Sequence, residues 1–181
     1  MNLFFIRALR AAKLDASLFD EVMADAKART QAIIVVFLYG AAVAYGIFGR
    51  GGVAMINSAI FMTLIGWYIW AFSVYIIGAR MFPESRTTAD RKAFMRAMAF
   101  ASSPGWLCLL GLVPGLGITV WVGASVWMIV ATVVAVKKAL NYSSTYRAAG
   151  ITVVCWILST LFQGLMYIII FSAFGVSKSQ F

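Results

Sequence analysis

The chain has 181 residues, 63% of them hydrophobic and 12% charged, where a soluble domain carries about 25% charged residues. A core of this size cannot hide so much apolar surface, so composition excludes an ordinary soluble domain and points to a membrane protein. The net charge of +9, without any histidine, does not indicate nucleic acid, because the Lys and Arg residues fall in short blocks between apolar runs, as in membrane-protein loops.

Residues 1–30 form a cytoplasmic amphipathic segment on this reading. Arg7, Arg10 and Lys13 recur at every third position among Phe4, Phe5, Ile6 and Leu9. That spacing suits a basic helix lying in the headgroup layer. A second short helix is expected over 16–28, with Leu18, Phe19, Val22 and Met23 as its apolar side. The alternative is a frayed, solvated start. The opening MNLFFIRALRAAK mixes basic and apolar residues and shows no clean signal-peptide pattern.

Four uncharged runs follow, over 30–49, 51–79, 97–136 and 148–177. About 20 apolar residues cross a bilayer core. The third run is long enough for two crossings and must turn in its middle, where Val113-Pro114-Gly115-Leu116-Gly117 supplies a break. The expectation is an all-α polytopic protein. Its five transmembrane helices are placed at 31–48, 54–79, 94–113, 117–137 and 149–173, with a short outer tail at 174–181.

Pro104 falls inside the expected third helix. It should free the carbonyl of Phe100 and kink the helix, with Ser102 and Ser103 bonding exposed backbone. A broken helix beside a binding cavity is the sharper alternative. On the fifth helix, Thr152, Cys155, Ser159, Gln163 and Tyr167 share a face. Gln163, near the midplane, is expected to bond a neighbouring helix; lining a polar cavity is the alternative. Thr63, Gly66, Trp70 and Ser73 form a similar stripe on the second helix, with Asn57 near its outer end. On the fourth, Gly123, Trp127, Ala131 and Ala135 repeat every four residues, a spacing that lets helices approach closely.

Orientation follows from counting. Thirteen Lys and Arg lie before helix 1, between helices 2 and 3, and between helices 4 and 5, while two, Arg50 and Lys178, lie on the other side. Positive charge stays inside, so the N-terminus is cytoplasmic and the C-terminus outside. All six acidic residues also fall inside.

No ionisable residue falls in the middle of an expected crossing, which argues against proton-coupled transport and intramembrane hydrolysis. Without histidine, a His-based triad or an HExxH zinc site is impossible. Cys108 and Cys155 sit in apolar runs and read as small hydrophobes. No catalytic, cofactor or metal residues are therefore assigned, and no enzyme is expected.

The stretch VWMIVATVVAVKKALNYSSTYRA over 126–148 and the SSPG…VPGLG hairpin resemble the bacterial branch of the Yip1-domain family. So do Phe19-Asp20-Glu21-Val22, Ala24-Asp25 and Thr30-Gln31-Ala32, near the start of that family's first helix. The resemblance covers roughly 18–172. It implies a five-helix integral membrane protein with a cytoplasmic N-terminus. Eukaryotic relatives act in vesicle traffic and bind small GTPases of the Rab type. Their long N-terminal region and DLYGP-like motif are not found here, so Rab binding is not carried over. The family offers no catalytic residues to transfer.

The expected function is non-enzymatic, organising membrane lipid or a membrane complex in a bacterial inner membrane. Candidate contacts to anionic lipid are Arg7, Arg10, Lys13, Arg91, Lys92, Arg96, Lys137, Lys138 and Arg147. Positive loops that merely set topology would explain the same charge split. The alternative function is a small transporter or channel, formed by oligomerisation, for an uncharged or small solute. Asn57, Ser73, Pro104, Pro114, Ser159 and Gln163 are its candidate packing or cavity residues. Expected partners are lipids and a second copy or a membrane complex.

Overall fold

The computed structural model describes residues 3–85, 87 and 90–173. Arg86, the tail 174–181 with Lys178, and the side chain of Tyr167 lie outside what is described. Across the described residues seven α-helices run in order: α1 Leu3–Ala12, α2 Ala16–Ala24, α3 Ala28–Phe48, α4 Gly52–Ile76, α5 Arg91–Phe100, α6 Gly117–Ala139 and α7 Thr145–Ala173. Among the described residues there is no strand.

Among the described residues, three stretches are long and apolar enough to cross a membrane: Ala28–Met81, Gly117–Ala139 and Thr145–Met166. The first folds back on itself. Its 3₁₀ turn Gly49–Gly51 leads into Gly52 at φ +83°, a conformation that only glycine adopts freely. The arms α3 and α4 then pack as an antiparallel pair, with Gly40 against Leu64. α4 continues as a π-helical turn, Ile77–Met81; the carbonyl of Gly78 within it and that of Phe82 just after it both accept from the Tyr142 hydroxyl, at 2.6 and 3.0 Å. α4 and α7 are antiparallel, with Gly66 opposite Gln163 and Gly78 opposite Ile151.

The expected third helix is corrected. The α-pitch stops at Phe100, and after a turn the chain runs as a ten-residue 3₁₀ helix, Ser103–Leu112. Such runs rarely exceed four residues. Pro104 sits in its first turn and so starts a new helix rather than kinking an old one. The freed Phe100 carbonyl accepts from Ser103 Oγ at 2.7 Å, while Ser102 Oγ bonds the Met98 carbonyl, so the expected serine bonds are present. Three residues per turn places Gly105, Cys108 and Gly111 on one edge. That edge meets α3 and α6 at backbone distance. A Cβ on Gly46 would lie 1.8 Å from the Cys108 carbonyl oxygen, and one on Gly105 would strike Tyr39 and Met128. The narrow helix fits where a wider one would not.

The turn that follows is as expected: Leu116 N–H bonds the Val113 carbonyl at 3.2 Å, with Pro114 and Gly115 (φ +85°) between them. Proline then positive-φ glycine is the type II pattern. This turn and Gly49–Gly52 share one end of the bundle, called here the hairpin end. The other end, called the basic end, carries α1, α2 and the α4–α5 and α6–α7 connections.

The bulkiest buried side chains gather at the basic end: Leu18 and Phe19 of α2, Phe94, Met98 and Phe100 of α5, and Leu140. α2 therefore buries the apolar side expected of it, Leu18, Phe19 and Val22, with Met23 half-buried. Its ends are capped from both directions. Asp15 accepts from Ser17 N–H at the start, and Arg96 of α5 donates to the Val22 and Met23 carbonyls at the finish. The small-residue stripe of α6 divides, with Ala131 and Ala135 fully buried but Gly123 and Trp127 exposed.

Candidate functional site: an uncharged cavity and a basic end

Between α3, α4, α6 and α7 lies a cavity of about 370 Å³, and none of its lining residues carries a charge. α3 contributes Tyr39 and Val43, α4 contributes Gly66, Trp67 and Trp70, α6 contributes Trp121 and Ser125, and α7 contributes Trp156, Ser159 and Gln163. Gly66 has a packing reason. A Cβ there would lie 2.1 Å from Gln163 Oε1, so the glycine is what seats the amide. Gln163 Nε2 donates to the Ser159 carbonyl of its own helix at 3.1 Å. In place of the expected bond to a neighbouring helix, one N–H of the amide bonds within α7, and the side chain lines the cavity.

The tryptophans of the cavity differ in one respect. Trp67 Nε1 donates to Ser102 Oγ at 2.7 Å. Trp70 is 5% exposed, and its indole N–H has no acceptor among the described residues. An unpaired donor in an apolar interior costs about 1–3 kcal/mol. Thr132 and Thr152 hydroxyls are also buried without partners, away from the cavity lining.

Of the six candidate packing or cavity residues, Ser159 and Gln163 line the cavity and four do not. Asn57 is exposed near the start of α4, Ser73 is half-buried, Pro104 is buried in the 3₁₀ helix, and Pro114 is in the exposed turn. The stripe Thr63, Gly66 and Trp70 was legible at helical spacing. The α3 and α6 walls were not, because nothing local says which helices become neighbours.

The basic end is more neutral than a count of charges suggests. Arg7 is 5% exposed. Its Nε bonds Glu21 at 2.8 Å, Nη1 bonds Gln31 at 2.9 Å and Nη2 bonds Asp25 at 2.9 Å. Arg10 bonds Asp15 at 2.8 Å, Glu21 at 2.5 Å and Ser17 at 3.0 Å. Burial works against the Arg7 charge, yet its bonds to Glu21 and Asp25 outweigh it and raise the pKa. Arg7 in turn holds the Glu21 and Asp25 carboxyls below their usual range. The Ser17 hydroxyl and Arg10 bring Asp15 down to about 2.

α1 is thus turned the opposite way from the sequence expectation. Its arginines face α2, and its exposed side is Leu3, Phe5 and Leu9. Its outward surface is apolar. Phe4 meets Trp106 of the 3₁₀ helix at 5.9 Å between ring centres, and the Ala12 carbonyl accepts from Trp127 of α6. Elsewhere Lys138 pairs with Asp20 at 2.8 Å, Lys137 bonds Thr145, and Arg147 lies 3.6 Å from Glu84. Backbone and hydroxyl bonds from Ser143 lower the Glu84 pKa, with Arg147 adding to it. Lys13, Arg91 and Lys92 are exposed and carry no ion pair among the described residues.

The Yip1 domain family model matches residues 16–175. The chain belongs to the Yip1 domain family. Within this Yip1 domain lie the whole cavity and the 3₁₀ helix, and the match begins on the first residue of α2. α1, with its inward arginines, precedes it. Nothing among curated proteins and nothing among solved structures matches the chain.

Proposed function

We propose that this Yip1-domain protein is a non-enzymatic, five-crossing protein of a bacterial inner membrane that organises lipid, gathering anionic headgroups at its basic end. The fifth crossing would be α5 with the 3₁₀ helix, whose combined rise of roughly 35 Å matches a hydrocarbon core of about 30 Å. The thirteen-to-two distribution of Lys and Arg supports a cytoplasmic basic end.

One observation carries the lipid reading: the acidic residues are already used. Asp15, Asp20, Glu21, Asp25 and Glu84 pair with Arg or Lys, and Asp90 caps α5 through Lys92 N–H and Ala93 N–H. Lys13, Lys27, Arg29, Arg80, Arg91 and Lys92 remain exposed without an acidic partner among the described residues. Unneutralised cations at helix ends attract anionic lipid. Arg7, Arg10, Arg96, Lys137, Lys138 and Arg147 have structural bonds and play a lesser part.

Native mass spectrometry tests this. Anionic phospholipid should be retained over zwitterionic phospholipid, and neutralising Lys13, Arg91 and Lys92 together should erase the preference. Equal retention of both lipids by the unaltered protein sinks the reading. The same spectra report whether copies associate. A second reading, a small oligomeric transporter or channel for an uncharged solute, draws on Ser159 and Gln163 at the cavity wall. Solute flux into proteoliposomes that falls with Gln163→Leu would favour it over the lipid role.

A further inference from the structure

We infer that α1 lies within the acyl-chain layer of the leaflet at the basic end, with its outward face, Leu3, Phe5 and Leu9, covered by lipid hydrocarbon. Those side chains are 51%, 54% and 51% exposed, and the half-buried Ile6 flanks them. A helix lying in the headgroup layer turns its cations outward. Here Arg7 and Arg10 turn toward α2, and their charges are met by Asp15, Glu21 and Asp25. The side left outward carries no charge that hydrocarbon would have to solvate.

Two contacts fix the depth. At one end of α1, Trp127 of α6 donates to the Ala12 carbonyl at 2.9 Å. Trp127 stands ten residues before Lys137, with only uncharged residues between them. That separation is roughly 15 Å of helix, against a hydrocarbon half-thickness of about 15 Å. At the other end, Phe4 packs on Trp106, whose indole N–H donates to the Val35 carbonyl at 3.1 Å. Val35 stands six residues past Arg29, roughly 9 Å of helix. The long apolar helices already turn bulky side chains outward at these levels: Ile33 and Phe37 on α3, Val126 and Val130 on α6. The face of α1 continues that surface. Lys13, just past the helix, is exposed, and its stem is long enough to snorkel to the headgroups. The hairpin end carries two tight turns and, among the described residues, no such helix, so α1 adds bulk to one leaflet. The inference needs the chain to span a membrane but not to select a headgroup, so it stands or falls apart from anionic-lipid binding.

The test is nitroxide accessibility of the full chain in vesicles of zwitterionic phosphatidylcholine. Phe5→Cys and Leu9→Cys are spin-labelled singly; Cys108 and Cys155, 1% and 0% exposed, are shielded from the label. Ile33→Cys on α3 and Tyr146→Cys, 92% exposed at the basic end, are the references. Molecular oxygen concentrates in hydrocarbon, and a nickel chelate stays in water. The oxygen-to-chelate collision ratio at Phe5 and Leu9 should match that at Ile33 within about twofold and exceed that at Tyr146 about tenfold. A ratio below that range puts the face in water or among headgroups and overturns the inference. Low collision with both reagents, with spin–spin broadening between labels, puts a second copy on the face and overturns it as well.

Discussion

The amide of Gln163 rests on the bare backbone of Gly66, so closely that a Cβ at Gly66 would lie 2.1 Å from its oxygen. The obstacle is the end of a flexible side chain, which can swing away. Gly66→Ala should therefore cost only about 1 kcal/mol, at the low end of overpacking penalties. It should also break the bond from Gln163 to the Ser159 carbonyl. Pairing it with Gln163→Ala should recover most of the loss, measured as a double-mutant cycle of thermal unfolding in detergent. Strict additivity would show that the two residues do not touch.

Gly46 offers the opposite case. A Cβ there meets the Cys108 carbonyl oxygen at 1.8 Å, and that backbone is wedged between α3 and α6. Gly46→Ala should cost about 4 kcal/mol or more, enough to lose monodisperse protein on size exclusion. Gly123→Ala, with nothing within 4 Å, should be neutral or slightly stabilising, since alanine favours helix. If the two variants behave alike, the tight seat of the 3₁₀ helix is wrong.

Arg7 and Arg10 look equivalent in sequence but not in place. The Arg7 side chain is 6% exposed and joins Glu21, Asp25 and Gln31; the Arg10 side chain is 32% exposed. Arg7→Ala leaves partly buried carboxylates unpaired and should cost about 2–3 kcal/mol, against about 1 kcal/mol or less for Arg10→Ala. Arg7→Lys should recover little, because an ammonium lacks the planar fork that spans three partners. Calorimetry of the three variants reads this directly.

The same network fixes an acid response. Asp15, Glu21 and Asp25 have carboxyls lowered on folding, Asp15 to about 2. A lowered folded pKa gives stability that is present above the unfolded value, about 4, and is lost as pH falls through the folded value. Docking of α1 on α2 should hold at pH 5 and loosen from about pH 4 downward. Hydrogen exchange of α1 amides, corrected for intrinsic rates, should show protection falling in that window. Loss of protection already at pH 6 would rule the carboxylates out.

Much of this architecture is legible in the residues themselves. Pro114-Gly115 announces a turn and makes one, and Leu18, Phe19 and Val22 announce a buried side and form it. Two features are not read correctly from local pattern, for physical reasons. A helical wheel shows that Arg7 and Arg10 share a side but not whether that side faces solvent or α2; Glu21 and Asp25 decide it from another helix. Pro104 is read as a kink because an apolar run carries little periodicity. The spacing of three between Gly105, Cys108 and Gly111 was the available sign of a tighter winding. At the cavity, Ser159 and Gln163 are legible on one side of α7, while Tyr39, Trp67 and Ser125 arrive only through tertiary packing.

The winding of Ser103–Leu112 sets a rule for insertions and deletions. Adding one residue after Pro104 would rotate everything beyond it by about 120° and swing Cys108 and Gly111 away from the groove they occupy, with leucines taking their place. Adding three would bring the thin edge round again and merely push the Val113–Leu116 corner outward. Length changes in this segment should therefore be tolerated in triplets, a grammar of three set within a bundle otherwise spaced by threes and fours.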